Sequence, residues 1–327
     1  MIKLEARDSS LSAFDKIAQE ISGFSDKFGL PEISSVEKVS GGVAHHVYRL
    51  ETGQENFFLK IRGDRFSTIP EIEINPKDIE FEHRSLELLG SFLPDNIVKP
   101  VFFDKERNFM ILQDAMPNGE TLETEFLNNN VSGETTAVMG ELLREIHERT
   151  SDVVDPVRKL DDRDFYDLKL QHRFSYRKDP VLNSTIESLQ MRNRQIVLGD
   201  FSPKNVAVND GGEHLVLFDL EDVHQGNPVV DVAFGAGHII VHSLDDSEKA
   251  INLTEHFLKA YGENSQDHTL KALTIGVLMY RLDSVIPYPV QVGERKMRII
   301  NQAESLLADF QLPTINWHDL INRLLVN

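Results

Sequence analysis

The sequence contains no cysteine, which excludes disulfide bonds, thiolate catalysis and zinc sites built on cysteine. It has no apolar run as long as a membrane-spanning helix, and its N-terminus has neither the basic start nor the apolar stretch of a signal peptide. Basic residues are also scarce, 34 against 53 acidic ones, so the formal net charge is −19. Because such a surface repels phosphate backbones and anionic lipids, we expect neither nucleic acid nor a membrane as a partner. We therefore expect a soluble, cytoplasmic monomer or homodimer.

The patterns in the first third of the chain alternate between helix and strand. An amphipathic helix is predicted over residues 10–28 and a second helix over residues 78–92. Short β-branched and aromatic segments predict strands at residues 36–40, 45–51, 56–62, 97–104 and 108–115. These segments predict a β-rich N-terminal lobe, residues 1–115.

The rest of the chain is predominantly helical in pattern. Residues 116–120, "MPNGE", have the Pro and Gly of a hinge, and "NDGG" at residues 209–212 predicts a hairpin turn between two strands. Residues 229–325 predict four or five further helices. Residues 116–327 would therefore form a helical C-terminal lobe, and the whole chain an α+β fold of two lobes with a cleft between them.

A glycine pair, a lysine and a glutamate are the first candidate functional residues. Gly41 and Gly42 lie between two predicted strands, where glycines let backbone amides approach a phosphate, although an ordinary hairpin turn explains them equally well. Lys60 lies inside an apolar strand, and such a lysine generally points to solvent unless it has a partner. Glu82 shares a helix face with apolar residues such as Ile79, and a carboxylate there is costly unless it is paired. The sequence thus predicts a Lys60–Glu82 ion pair, whether functional or merely structural.

Two acidic segments follow buried strands in the second half of the chain. In "IVLGDFSPKNVAV", residues 196–208, Gly199 permits a tight turn, Asp200 follows it, and Asn205 comes five residues later. An Asp that accepts a proton from a hydroxyl and an Asn that ligates magnesium suit phosphoryl transfer, whereas an Asx turn is the simpler interpretation. In "LVLFDLEDV", Asp219 and Glu221 follow a strand and offer the oxygen ligands that Mg²⁺ prefers.

These features occur in the order found in protein kinases, and together the chain resembles the aminoglycoside phosphotransferase and choline kinase superfamily. The likeness extends from about residue 34 to about residue 300. The family loop H-G-D-x-x-x-x-N is matched from residue 198 to residue 205, except that Leu198 replaces the histidine. "FDLEDVHQGNPVVDVAF" and "MGELLREIHERT" resemble two further family motifs. The D-x-E form and Arg281 favour the methylthioribose-kinase-like branch.

The resemblance implies a bilobal protein-kinase-like fold with ATP and Mg²⁺ as cofactors, in which the N-terminal lobe, residues 1–115, binds the nucleotide. It implies that Lys60, paired with Glu82, orients the α- and β-phosphates, and that Asp200 is the catalytic base. The implied metal ligands are Asn205, Asp219 and, additionally, Glu221. The remaining implied nucleotide contacts are the glycines of the phosphate loop and the backbone groups facing adenine, namely Gly41, Gly42, Gln113, Asp114, Ala115 and Met116. Asp231 is expected to brace the loops.

The acceptor is less defined by sequence. Arg173, Arg177 and Arg281 are candidates for binding a sugar-like acceptor, and a buried structural carboxylate is the alternative partner for Arg281. We expect a kinase acting on a hydroxyl group of a small molecule. The alternatives are a phosphotransferase for aminoglycosides or other antibiotics, and a nucleotide-binding pseudokinase that serves as an interaction module. Protein kinase activity is disfavoured, because the segment after Asp219 is too short for a substrate-binding activation loop.

Overall fold

The computed structural model describes eleven stretches of the chain. They are residues 12–39, 45–67, 71, 73–117, 119–153, 170–189, 195–262, 268–284, 288–290, 292–309 and 311–326. Gly41 and Gly42 lie outside these residues, so the phosphate-loop prediction stays a prediction. In the part described, no helix combines the length and apolarity that crossing a bilayer requires.

A five-stranded antiparallel sheet forms the N-terminal part of the fold. Its strands are β1 (Ile33–Val39), β2 (His45–Thr52), β3 (Asn56–Arg62), β4 (Pro100–Asp104) and β5 (Phe109–Gln113), in the order β1-β2-β3-β5-β4. Alternation along β3 buries Phe57, Leu59 and Ile61 on one face, where they join a small apolar core. Lys60 and Arg62 consequently lie on the opposite face.

Helix α1 (Ala13–Gly23) contributes to this small core and is shorter than the sequence predicts. Ser12 and Asp15 form a capping box at its start, and Tyr48 of β2 donates a hydrogen bond of 2.6 Å to Asp15. After residue 24 the chain continues as a 3-10 turn, Ser25–Phe28, which buries Phe28. The predicted helix over residues 10–28 is thus wrong after residue 23, where the tighter turn brings Phe28 into the core.

Helix α2 (Ile79–Phe92) matches the prediction for residues 78–92 and brings a carboxylate to the sheet. Its buried face includes Ile79, Leu86 and Leu89 together with Glu82. Because Glu82 shares the face of the apolar residues, it must lie against the protein interior, opposite β3.

The second half of the described chain is mainly helical. Its helices of six or more residues are α3 (Leu122–Leu127), α4 (Gly133–Arg149), α5 (Pro180–Leu189), α6 (Val229–His242), α7 (Ser247–Tyr261), α8 (His268–Asp283), α9 (Arg295–Leu307) and α10 (Trp317–Leu325). The five described helices after residue 228 confirm the prediction of four or five helices over residues 229–325. The α+β class is also confirmed. The lobe boundary after residue 115 stays a prediction.

Two small antiparallel sheets interrupt these helices. Strands β6 (Glu120–Thr121), β8 (Val206–Asn209) and β9 (His214–Leu217) form one sheet, and β7 (Gln195–Val197) and β10 (His224–Gly226) form the other. The predicted hairpin between β8 and β9 is present. The backbone of Leu217 exchanges hydrogen bonds with Asn96 and Val98, so the end of β9 is fixed to the chain that leads into β4.

Close packing of α4 against α7 depends on Gly140. A Cβ at this position would overlap the backbone oxygen of Phe257 and crowd Ala260, whereas a Cβ at Gly23 of α1 would meet nothing within 4 Å. We therefore expect Gly140→Ala to force the two helices apart and to lower the free energy of unfolding by about 1–3 kcal/mol. Gly23→Ala is the matched control and should be neutral or slightly stabilising. Urea unfolding measures both, and equal values for the two variants would contradict this packing.

Candidate functional site

Lys60 joins the sheet, helix α2 and the end of β9. Its ammonium group lies 2.6 Å from Glu82 and forms a second ion pair with Asp219. Burial opposes the charge of Lys60, but Asp219 and Glu82 outweigh burial and raise its pKa. Burial also raises the pKa of Glu82 to about 7, with Lys60 opposing this shift. The predicted contact between Lys60 and Glu82 is therefore present, and Asp219 completes it.

Arg62 and His45 surround this ion pair. Arg62 donates a hydrogen bond of 2.6 Å to Glu221 and lies 3.1 Å from the ring of His45, whose pKa burial lowers well below its usual value. Ligand atoms of His45, Glu82 and Asp219 lie within 4.8 Å of one another. Because the ammonium group of Lys60 already contacts both carboxylates, we assign this cluster to lysine pairing rather than to a metal ion.

Asp231 fixes the loop that carries Asp200. Its carboxylate accepts hydrogen bonds from the backbone N–H groups of Leu198 and Gly199, at 2.6 and 2.8 Å, and contacts His147 at 3.0 Å. Gly199 has φ +76°, and a Cβ there would lie 2.5 Å from the backbone oxygen of Asp222. The turn therefore requires glycine, and the bracing role predicted for Asp231 is confirmed.

The loop after Gly199 folds around Asp200. The backbone oxygen of Asp200 accepts hydrogen bonds from the N–H of Ser202 at 2.8 Å and from the side-chain amide of Asn205 at 3.1 Å. Its carboxylate lies within ion-pair distance of Arg173 at 3.4 Å and Lys204 at 3.6 Å. Asp200 and Asn205 are thus held by the same short turn, as the sequence predicts.

Asp219 takes an unusual backbone conformation at the end of β9. Its φ of +58° is in the left-handed region, which costs free energy for a residue other than glycine. The preceding residue, Phe218, donates its backbone N–H to the carbonyl of Asn205 at 3.1 Å. The turn therefore directs Asp219 back towards Lys60 and keeps it beside the Asn205 loop.

A cavity of about 430 Å³ lies between the sheet and the residues that flank the β8–β9 hairpin. Its lining includes the charged or amide side chains of Lys60, Glu123, Lys204, Asn205, Asp219 and Glu221. Apolar residues such as Val47, Leu112 and Phe218 also line it. A cavity that combines apolar walls with cations and oxygen ligands suits a flat aromatic group attached to phosphates.

The residues predicted to face adenine border this cavity, with one exception. Gln113, Ala115 and Met116 line it, whereas Asp114 accepts a hydrogen bond of 2.8 Å from the backbone N–H of Met116. Asn209 donates to the carbonyl of Ala115 at 3.0 Å and fixes the segment to β8. Asp114 therefore shapes the turn.

The three candidate acceptor arginines occupy different surroundings. Arg177 pairs with Asp283 and Glu304. Arg173 is buried, donates to the carbonyl of Gly199 and pairs with Asp222 at 2.7 Å, so it braces the loop that carries Asp200. Arg281 approaches Asp200 at 3.8 Å. Their roles in acceptor binding stay predictions.

Sequence analysis missed Arg62, Glu123 and His238 as residues of the site. The period of two along β3 gives a signal for Arg62, because it places Arg62 on the face of Lys60. Glu123 and His238 reach the site through tertiary packing of α3 and α6, for which the local sequence carries no signal.

Asp231→Asn tests the role of the loop brace. The amide would present N–H groups to the backbone donors of Leu198 and Gly199, and we expect the free energy of unfolding to fall by about 2–3 kcal/mol. Asp104→Asn is the matched control, because Asp104 also accepts from two backbone N–H groups but lies in an exposed turn. Chemical denaturation measures both variants. A loss no larger than that of Asp104→Asn would show that Asp231 does not hold the loop.

Comparison with known structures found the same fold in kinases of small molecules. Choline kinase LicA from Streptococcus pneumoniae is 20% identical, with a TM-score of 0.54, and the match covers 91% of this chain and 99% of that one. A choline/ethanolamine kinase family protein from Mesorhizobium loti is 14% identical, with a TM-score of 0.55 and coverage of 96% and 99%. The GDP complex of aminoglycoside 2'-phosphotransferase-IIIa is 15% identical, with a TM-score of 0.52 and coverage of 96% and 97%. At these identities the likeness establishes the kinase-like fold alone.

Comparison of the sequence gives the family. No curated protein matches it significantly. The sequence profile of the phosphotransferase enzyme family, however, matches residues 35–270. This range includes the site residues from His45 to Asp231. The match extends over more than half of the chain, and we conclude that the chain belongs to the phosphotransferase enzyme family.

Proposed function

We propose that this chain is an ATP- and Mg²⁺-dependent kinase that transfers the γ-phosphate to a hydroxyl group of a small, sugar-like acceptor. The observation that carries this proposal is the convergence of Lys60, Asn205 and Asp219 on one cavity, with Asp200 on the loop that leads to it. Membership of the phosphotransferase family supports the reaction type.

The nucleotide would occupy the cavity between the sheet and the residues that flank the β8–β9 hairpin. Its base would lie against the apolar walls and the backbone of residues 113–116, and its phosphates against Lys60. Glu82 would hold the ammonium group of Lys60 in position, since it contacts Lys60 without lining the cavity. In this assignment residues 1–115 would supply one wall of the site. Residues 116–327 would supply the opposite wall and the catalytic loop.

The donor set of Asn205 and Asp219 fits Mg²⁺, which prefers oxygen ligands. The amide nitrogen of Asn205 is committed to the backbone of Asp200, so its side-chain oxygen is the atom that would ligate a cation. Glu221 also lines the cavity, although Arg62 holds one of its oxygens, and its role as a further ligand stays a prediction. When bound, the cation neutralises charge on the phosphate oxygens.

Asp200 would accept the proton of the acceptor hydroxyl during transfer. Arg173 and Lys204 flank its carboxylate, and Asp231 fixes the backbone on which it lies. These contacts limit the positions that the carboxylate can adopt, which is how positioning contributes to the rate. Lys204 also lines the cavity and would lie near the γ-phosphate.

An aminoglycoside phosphotransferase is the second candidate. The net charge of −19 would attract a polycationic antibiotic, and one structural neighbour is an aminoglycoside 2'-phosphotransferase. A pseudokinase is disfavoured, because Lys60, Glu82 and Asp219 are in mutual contact and a protein that only binds nucleotide need not retain metal ligands.

Asp200→Asn tests the assignment of the catalytic base. We expect the acceptor-dependent release of ADP to fall on the order of 100-fold or more, because the amide accepts no proton, while ATP binding remains. Enzyme-coupled detection of ADP and calorimetric titration of ATP measure the two properties separately. Asp245→Asn, on an exposed side chain, is the control. Unchanged turnover in Asp200→Asn would exclude this residue as the base.

Asp219→Asn tests the metal site. The amide oxygen is a weaker ligand than a carboxylate, so we expect the Mg²⁺ concentration that gives half-maximal turnover to rise roughly tenfold or more. Glu213→Gln in the exposed turn before β9 removes the same charge without touching the cavity and is the control. A Mg²⁺ requirement identical in the wild type and Asp219→Asn would contradict the assignment.

A further inference from the structure

Arg281 brings a buried positive charge to the side of Asp200. Its side chain is 7% exposed, and its Nε donates a hydrogen bond of 2.8 Å to Nε2 of His238. A terminal nitrogen lies 3.8 Å from Asp200, which is too long for a hydrogen bond. Within the described ranges, the terminal nitrogens of Arg281 donate no hydrogen bond to a protein atom. A buried guanidinium in this state retains donors for a ligand.

His238 does not neutralise Arg281. Its Nδ1 lies 2.7 Å from the carbonyl of Phe234 and therefore carries the proton, so Nε2 is the acceptor for Arg281. Burial, with the charge of Arg281 as the next cause, lowers the pKa of His238 well below its usual value. The ring is therefore a neutral partner that orients the guanidinium and does not compensate its charge.

Aromatic rings surround the rest of the guanidinium. Its central carbon lies 4.8 Å from the ring centre of Tyr288, 5.0 Å from Tyr280 and 5.6 Å from Phe234. Such faces attract cations, and elsewhere they form cages for ammonium ligands. Here the protein's own arginine occupies the faces, so a cationic ligand would have to displace it.

Three cations lie within 4 Å of the Asp200 carboxylate: Arg173, Lys204 and Arg281. Arg173 also pairs with Asp222. Glu123 lies near Lys204 and Arg281, whose charges oppose the rise in its pKa that burial causes, but within the described residues it forms no ion pair with either. Arg281 therefore shares the Asp200 carboxylate with two other cations, and an oxyanion on a ligand would give it a counter-charge of its own.

On the basis of the proposed kinase function, we propose that the acceptor carries a carboxylate or phosphate group beside its reactive hydroxyl, and that Arg281 binds this oxyanion. In the transfer, the acceptor oxygen forms a bond to the γ-phosphorus, and the bond between that phosphorus and the β–γ bridging oxygen breaks. ADP leaves and Asp200 takes the hydroxyl proton. Arg281 would hold the acceptor by a charge-assisted contact and would repel ammonium-bearing acceptors.

A set of acceptors that share one skeleton and differ in charge tests this proposal. Glucuronate and glucose 6-phosphate are the anionic members, glucose is neutral and glucosamine is cationic; glycerate, glycerol 3-phosphate, glycerol and 3-amino-1,2-propanediol form a smaller second set. For each compound, ADP release is measured with Mg²⁺ and ATP, and binding is measured by calorimetry on the complex with a non-hydrolysable ATP analogue. The carboxylate and phosphate arms of each set distinguish the two sources of the oxyanion.

We expect an anionic member to give the highest kcat/KM, and Arg281→Gln to reduce that value at least roughly tenfold, mainly through KM for the acceptor, with KM for ATP unchanged. Arg281→Lys should retain part of the preference, because it keeps the charge and loses the planar fork. Arg323→Gln, which breaks an exposed pair with Asp309, is the control for the loss of an arginine.

The outcomes separate this inference from the proposed function. Preferred turnover of a neutral or cationic member overturns the inference and leaves the kinase intact. A rise in KM for ATP in Arg281→Gln, with acceptor preference unchanged, assigns Arg281 to the nucleotide and also overturns the inference. The inference is also overturned if no anionic member binds or turns over while ATP still binds. Failure to bind ATP at all overturns the proposed function itself.

Discussion

The buried ammonium group of Lys60 holds together three segments that are far apart in the chain. Transferring it and Glu82 from water to the interior is costly, and the cost is offset because Glu82 from α2 and Asp219 from the end of β9 both contact it. Each partner is thereby fixed relative to the sheet. The position of Asp219 in turn determines where the β8–β9 hairpin lies, and Phe218 connects that hairpin to the Asn205 loop.

Much of this arrangement could be predicted from local sequence. Strand β3 has a period of two, and helix α2 has Glu82 on its apolar face, so burial alone required a cation for Glu82 and Lys60 was the candidate. Gly199 predicted the tight turn before Asp200, and the residues NDGG predicted the hairpin between β8 and β9. In each case a short-range pattern carried the physical constraint.

Contacts between distant segments could not be predicted in the same way. The second partner of Lys60, the pairing of Arg62 with Glu221 and the approach of Arg281 to His238 depend on how α6, α8 and the sheet pack. The local pattern around Arg281 indicated only that a buried arginine needs a partner. The structure places Arg281 beside a neutral histidine, aromatic rings and Asp200. The Asp200 carboxylate has three cations within 4 Å of it, although the protein as a whole is acidic.

The central claim is that the cavity and the Asp200 loop form one phosphoryl-transfer site. In the most direct measurement, ATP that carries a label in its γ-phosphate is incubated with the protein, Mg²⁺ and a mixture of small hydroxyl compounds, and the fate of the label is followed. Our account predicts that the label moves to an organic phosphomonoester in a reaction that requires both Mg²⁺ and an acceptor. Label that remains in ATP, or that appears only as inorganic phosphate whatever acceptor is present, would contradict it.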